Sequence, residues 1–235
     1  MVIWIRVSID YRFNDKSAYN FTGKFTCKFP YKKEGSMNII LASKSPRREE
    51  LMRFLTNSFA VIPSDFPERE VMYAGDPYRY TEELGLKKAL QVAENHREDL
   101  VIGSDTVVVQ DGELFNKPLD LEDARRMIRS LQGSWHEVVT SYALVALDKG
   151  IEAVGHVSTK VLFNAMTELE IETYLKTDDY AGKAGAYAVQ GAASRYIARI
   201  EGDFYTVVGL PLSALYKELK AHGIIREDDV PYSGL

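Results

Sequence analysis

The chain has 235 residues, 46% hydrophobic and 27% charged, an ordinary globular composition long enough for one good core or two small ones. A formal net charge of −5 argues against a general nucleic-acid surface, and no apolar run reaches the length of a bilayer span. The one cysteine, Cys27, excludes an intrachain disulfide framework and suits a reducing compartment, while His96, His136, His156 and His222 lack the spacing of a zinc site.

Residues 1–36 stand apart. They hold seven of the 29 Lys/Arg but three of the 34 Asp/Glu, with eight aromatics, which leaves a net charge of −9 after position 36. No apolar stretch with a small-residue cleavage site marks a secretory signal. Met37 then opens a clean strand pattern, and Lys32-Lys33-Glu34-Gly35 back-translates to a purine run shortly before it. The expectation is that Met37 is the true start and 1–36 a translated leader; the alternative is a β-rich extension. The domain is expected over 37–225, with 226–235 a tail. Mass spectrometry of the native N-terminus is expected to find Met37 first, and cellular peptides from 1–36 would overturn that.

In chain order, Asn38–Ala42 reads as a buried strand, and Ser45-Pro46 signals a helix start with proline at its first position. Leu51, Met52, Phe54 and Leu55 give that helix an apolar side. Phe59–Ile62 reads as a strand, Pro63–Asp76 as loop, and Pro77 to about His96 as a helix with Leu86, Ala89, Leu90 and Ala93 at helical spacing. Leu100–Ser104 is a buried strand running into Asp105. Val107–Gln110 and Glu113–Phe115 flank the hairpin signal Asp111-Gly112. Asp120 caps a helix striped by Leu121, Ala124, Met127, Ile128 and Leu131 and ended by Gly133. His136–Leu147 and Ile151–Val161 are long strand candidates. Thr167–Glu170 is a capping box opening a helix to about Lys176. A glycine-rich loop around Gly182–Gly191 precedes strands near Tyr196–Ile200 and Phe204–Val208, and a last helix runs from near Pro211 to His222. Strands and helices interleave without strict βαβ regularity, so the fold class is α/β around a mixed sheet.

Several polar groups fall in the connecting loops. Ser43 to Arg48 places two hydroxyls and two arginines at a helix start, where unpaired N–H groups favour an anion and arginine forks suit phosphate; a capped helix with solvated arginines fits equally. Asp105, at the end of a buried strand, reads as a metal or water ligand at a sheet rim or as a turn aspartate. Lys88 and Lys117 read as phosphate counter-charges or as surface lysines. Gly182 to Gly191 lets backbone approach a ligand, and Gln190 offers a donor and an acceptor to a base edge; a structural loop is the alternative. Neither GxxxxGK[ST] nor GxGxxG occurs.

Taken together in order and spacing, LASKSPRREEL, SDTVV, NKPLDLEDARRMI, GAYAVQG and EGDFYTVVGLPL, from about Met37 to His222, resemble the Maf family of nucleoside triphosphate pyrophosphatases. The resemblance implies an elongated mixed α/β fold with a central cleft, similar to inosine triphosphate pyrophosphatases. It implies hydrolysis of nucleoside triphosphates to monophosphate and pyrophosphate with a divalent cation, Mg²⁺ or Mn²⁺. Carried over by position, Asp105 is the catalytic aspartate, the proton acceptor, expected to hold the metal, the attacking water or both, and Lys88 and Lys117 are the phosphate-directed lysines. The two arginines of the family signature fall on Arg47 and Arg48 and an acidic loop residue on Glu68; with the hydroxyls that Ser43 and Ser45 add at the helix start, these are the expected substrate-binding residues. Arg47, Thr106 and Gln190 match the branch that prefers dTTP and UTP over the one that takes 7-methyl-GTP. Gly182 stands where the family loop has aspartate before Lys183-Ala184-Gly185, the nearest carboxylates being Asp178 and Asp179, and Ala192-Ala193 stands where some members have another glycine. The resemblance implies a cytoplasmic enzyme with a nucleotide as partner, no nucleic acid and no membrane, and it admits a homodimer. The rival reading is a nucleotide-binding regulator linked to septum formation, with little turnover.

Overall fold

The computed structural model describes residues 37–226; the expectations for the leader 1–36 and for most of the 226–235 tail lie outside these residues. In chain order the elements are β1 (Ile39–Leu41), α1 (Pro46–Met52), β2 (Phe59–Val61), α2 (Pro77–Ala93), β3 (Leu100–Gly103), β4 (Thr106–Gln110) and β5 (Glu113–Phe115). Then come α3 (Leu121–Leu131), β6 (Trp135–Ala146), β7 (Ile151–Phe163), α4 (Glu168–Leu175), β8 (Ile197–Glu201), α5 (Phe204–Val208) and α6 (Leu212–Ala221).

The eight strands form one mixed sheet: β1 runs parallel to β2 and β3, and every other pairing is antiparallel. Hydrophobic strands buried on both faces, such as β1 and β3, suit the parallel part.

One feature of the pairing creates the site. β3 and β4 lie end to end along a single edge of β6, in one continuous register: Gly103 opposes Ala143 and Thr106 opposes Thr140. On their other edge the partners change. β1 pairs with β3 as far as Leu41 opposite Ile102, and β5 pairs with β4 from Phe115 opposite Val108. The carboxyl ends of β1 and β5 therefore both point at Ser104–Asp105, where the sheet has no strand on that side.

Helix α2 lies over β3 and β6 and makes an unusually close approach. A Cβ on Gly103 would stand 2.1 Å from the carbonyl oxygen of Gly85, so only glycine lets helix and strand meet. Ser141 on β6 locks the contact, donating from Oγ to the Thr81 carbonyl at 2.6 Å and accepting from the Asp105 N–H at 3.2 Å.

Two apolar clusters flank the gap. One joins β1, α1, β3 and α6 through Leu41, Met52, Ile102 and Leu215. The other joins α3, α4 and the outer half of the β6–β7 ribbon through Phe115, Ile128, Phe163 and Ile171. Thr167 and Glu170 form the expected capping box on α4.

Three expectations need correction. Phe204–Val208 is the helix α5, not a strand: the Asp203 carboxylate caps it by accepting from Tyr205 N–H and Thr206 Oγ1, and Gly209 ends it, overriding the β-branched composition. α1 closes at Met52, so Leu55 is buried in the following turn while Phe54 is 45% exposed and meets Tyr205. Leu121, counted in the α3 stripe, is at the surface, while Ala124, Met127, Ile128 and Leu131 are buried.

His136 on β6 is buried between Phe163 and Tyr187, with Nε2 2.8 Å from the Tyr187 hydroxyl. Burial lowers its pKa to about 4, so the folded chain holds it neutral. Between pH 6.5 and 4 the unfolded chain takes up a proton that the folded chain does not, and stability falls as pH drops through that window. Urea melts should show a loss on the order of 3 kcal/mol across it from this group. In His136→Phe that component should vanish, and an unchanged slope would refute the assignment.

Candidate active site

The gap at Ser104–Asp105 opens into a cleft of about 460 Å³ that brings together all ten residues singled out in the sequence: Ser43, Ser45, Arg47 and Arg48 from the β1–α1 segment, and Glu68, Lys88, Asp105, Thr106, Lys117 and Gln190 from five other segments. Segments far apart in sequence meet here because β1, β5 and the β3–β4 junction converge on one point.

Asp105 is buried, and its Oδ1 accepts from Lys88 Nζ at 2.5 Å. Lys88 follows Gly85 by three residues and so lies on the same face of α2, which the Gly85–Gly103 contact presses onto the sheet. The same ammonium lies 2.8 Å from Glu68 Oε1, and Lys117 Nζ reaches Glu68 at 2.9 Å. Lys117, Glu68, Lys88 and Asp105 thus form one alternating chain of charge. Burial opposes ionisation of Glu68, but the charges and hydrogen bonds of Lys88 and Lys117 outweigh it and hold its pKa at about 2. Glu68 sits on a 3₁₀ turn, Glu68–Glu70, within the expected loop.

The two arginines divide their work because successive helical residues project about 100° apart. Arg48 turns inward: Nε donates to the Gly209 carbonyl at 2.7 Å, Nη1 to the Ser104 carbonyl at 2.9 Å and Nη2 to Thr106 Oγ1 at 2.9 Å. Burial lowers its pKa against the opposing charges of Asp105 and Glu68. Its fork is largely committed to the protein, which makes it a fixed positive charge and a brace more than a gripping hand. The Arg47 guanidinium makes no hydrogen bond among the described residues; burial lowers its pKa, and Asp179 and then Glu50 oppose the shift. Ser45 caps α1, its Oγ accepting from the Arg48 N–H, and Ser43 Oγ accepts from the Ser45 N–H.

Thr106 belongs to a relay whose direction can be assigned. Thr140 Oγ1 donates to the Thr206 carbonyl at 2.7 Å, so across its 3.0 Å contact with Thr106 it acts as acceptor. The Thr106 hydroxyl therefore spends its proton on Thr140 and receives a bond from Arg48, which leaves only a lone pair to offer the cleft. Gln190 is exposed on its loop, with both ends of its amide free of hydrogen bonds among the described residues.

Sequence reasoning missed Lys183, which lines the cleft, and Tyr187, whose buried ring forms part of its wall. A cation inside a small-residue loop was the available signal for Lys183. In all, Lys44, Arg47, Arg48, Lys88, Lys117 and Lys183 face Glu68 and Asp105, a local balance of +4 in an acidic chain. Such a field concentrates polyanions.

Among the described residues no cluster of three or more His, Cys, Asp or Glu is arranged to hold a metal ion, and no helix is long and apolar enough to cross a membrane. Residues 38–222 match the Maf-like protein family. A dTTP/UTP pyrophosphatase of Caldanaerobacter subterraneus is 43% identical over 187 residues, 79% of this chain and 89% of the relative. One from Ruminiclostridium cellulolyticum is 41% identical over 178 residues, 76% of this chain and 92% of the relative. Among solved structures, the Ham1 protein of Staphylococcus aureus aligns at 12% identity with a TM-score of 0.42, covering 79% of this chain and 99% of that one.

The two arginines should separate in stability measurements. Arg48→Ala removes the guanidinium from the Ser104 and Gly209 carbonyls and should cost about 2–3 kcal/mol in urea unfolding. Arg47→Ala should stay within about 0.5 kcal/mol of the parent chain. Equal losses would contradict the division.

Proposed function

The chain belongs to the Maf-like protein family, and from that premise we propose how its cleft works: it is a nucleoside triphosphate pyrophosphatase that hydrolyses dTTP and UTP to the monophosphate and pyrophosphate, a house-cleaning activity. The observation that carries this reading is the convergence of six cations and two carboxylates on a break in the sheet. A triphosphate brings about four negative charges, and its hydrolysis depends mainly on positioning and charge stabilisation.

In this mechanism Arg47, Lys117 and Lys183 receive the phosphate chain, with Arg48 as fixed charge beneath it. Asp105, oriented by Lys88 and by its backbone bond to Ser141, accepts the proton of a water as that water's oxygen bonds to the α-phosphorus. The bond from the α-phosphorus to the bridging oxygen breaks, and pyrophosphate leaves with its new charge facing Lys117 and Arg47. Asp105 and Glu68 share the Lys88 ammonium, so the pair already accommodates positive charge between them. Two carboxylates completed by phosphate oxygens are a donor set that suits Mg²⁺ or Mn²⁺. Such an ion, when bound, supplies charge neutralisation on the phosphates. We place the enzyme in the cytoplasm, with a homodimer as its candidate assembly.

Base choice follows from the Thr106 relay. A threonine that can only accept suits the N3–H of uracil or thymine and offers nothing to the unprotonated N3 of cytosine. Gln190, free at both ends, completes the edge.

A panel of dTTP, UTP, CTP and 7-methyl-GTP, run with Mg²⁺ and with Mn²⁺, should release pyrophosphate fastest from dTTP and UTP; no release from any of them would leave only a binding protein. Asp105→Asn should keep the fold and nucleotide binding and lose turnover by about 10²-fold or more, the scale of general-base catalysis. Unchanged turnover would remove Asp105 from the reaction. Thr106→Val should narrow the preference for dTTP over CTP, and an unaltered ratio would discard the relay as a base reader.

A further inference from the structure

The turn that carries Gln190 is held from behind by a carboxylate outside the cleft wall. The Gly191 N–H donates to the Ala188 carbonyl at 3.0 Å, closing a turn with Val189 and Gln190 at its centre. The next amide, Ala192 N–H, donates to Asp179 Oδ2 at 2.7 Å. The Asp179 backbone is in turn anchored through its N–H to Thr177 Oγ1 at 3.3 Å.

Gly191 makes this seat. A Cβ there would lie 1.7 Å from Asp179 Oδ2, so the carboxylate occupies the space a side chain would need. The φ of Gly191 is −106°, within reach of any residue, so glycine is required for room and not for backbone freedom.

The contact is not what attaches the loop to the body. Tyr174 does that by donating its hydroxyl to the Ala186 carbonyl at 2.9 Å, as does the Gly185 N–H bond to the Asn116 carbonyl at 3.2 Å. What Asp179 fixes is the position of residues 190–192 after the loop is attached. Its charge also bears on the two cations nearest that loop, opposing the pKa lowering that burial imposes on Arg47 and on Lys183.

We propose that Asp179 is a specificity-determining positioning residue: its carboxylate latches the Ala188–Gly191 turn against the body and fixes Gln190 in the cleft that Arg47 also lines, so that the two meet one kind of base. This rests on the cleft being the pyrimidine nucleotide site. Asp179 supplies its carboxylate to that loop from upstream, across 13 positions of chain.

The test is steady-state kinetics of full-length Asp179→Ala, Asp179→Asn and Gly191→Ala on dTTP and CTP, with amide exchange at Ala192 followed in parallel. In Asp179→Ala the KM for dTTP should rise on the order of tenfold, the scale of one charge-assisted hydrogen bond, with kcat changed by less than about threefold and the dTTP-to-CTP ratio reduced. Asp179→Asn, whose amide oxygen still accepts from Ala192, should recover most of the KM. Gly191→Ala, which drives a methyl group into the carboxylate, should reproduce the Asp179→Ala pattern. A merely structural role would lower kcat for both nucleotides alike by shrinking the folded fraction, with KM and the ratio unmoved, and that result overturns the proposal. Should the parent enzyme release pyrophosphate from no nucleotide, the reading of the cleft fails separately. Exchange at Ala192 then decides the latch: on the order of tenfold faster in Asp179→Ala supports it, and no change refutes it.

Discussion

Between Ile102 and Val108 the β3–β4 ribbon has a strand on one side only. Along β6 its ladder is continuous, while on the other side β1 stops and β5 has not yet begun. A buried carbonyl in such a break must find a partner. Arg48 provides it, donating to Ser104 where a strand would have done so, and with its remaining nitrogens it joins the same point to Gly209 and Thr106. The interruption is therefore both the reason a cleft exists and the reason a guanidinium is held at its floor. Asp105 follows that carbonyl directly, between β3 and β4, with its N–H held by Ser141 Oγ on β6.

From this constraint the electrostatics follow. Six cations line the cleft: the segments that surround the break, after β1, after β5 and in the loop before β8, deliver five of them, and α2 supplies the sixth, Lys88. Pairing among Lys117, Glu68, Lys88 and Asp105 keeps those charges from repelling the site open, at the cost of orienting side chains that a nucleotide must then share. The charge chain is compact, whereas the described residues as a whole are acidic, so the cleft concentrates an attraction for polyanions that the rest of that surface lacks on balance.

Much of the fold was legible because local signals agreed with it: Ser45-Pro46, the Asp111-Gly112 hairpin, Asp120 and the Thr167 capping box all mark real boundaries. α5 was not, since Phe204–Val208 has strand composition and only the Asp203 cap betrays a helix. The ten site residues were assembled by family likeness, as residue types alone left each with an ordinary alternative. What sequence could not disclose is pairing across distance. Arg48 meets Gly209 across 161 positions and Thr140 meets Thr206 across 66, so neither the brace nor the direction of the threonine relay has a local signature. Asp179 was visible as a nearby carboxylate; its seat against Gly191 depends on three-dimensional contact.

The Gly85–Gly103 approach shows how a cleft can be calibrated by missing atoms. The span from Lys88 to Asp105 is set by how deeply α2 settles on the sheet, and that depth is limited by a contact in which neither residue has a side chain. A methyl added at Gly103 would meet the Gly85 carbonyl, lift the helix and carry the ammonium away from the carboxylate, while every polar group stays in the sequence. Position 103 is closed to a side chain by the Gly85 carbonyl, and position 85 by Ser141 Oγ, which would stand 2.6 Å from a Cβ there; both limits are of volume and not of chemistry, and a survey of variants scored by charge or polarity would overlook them.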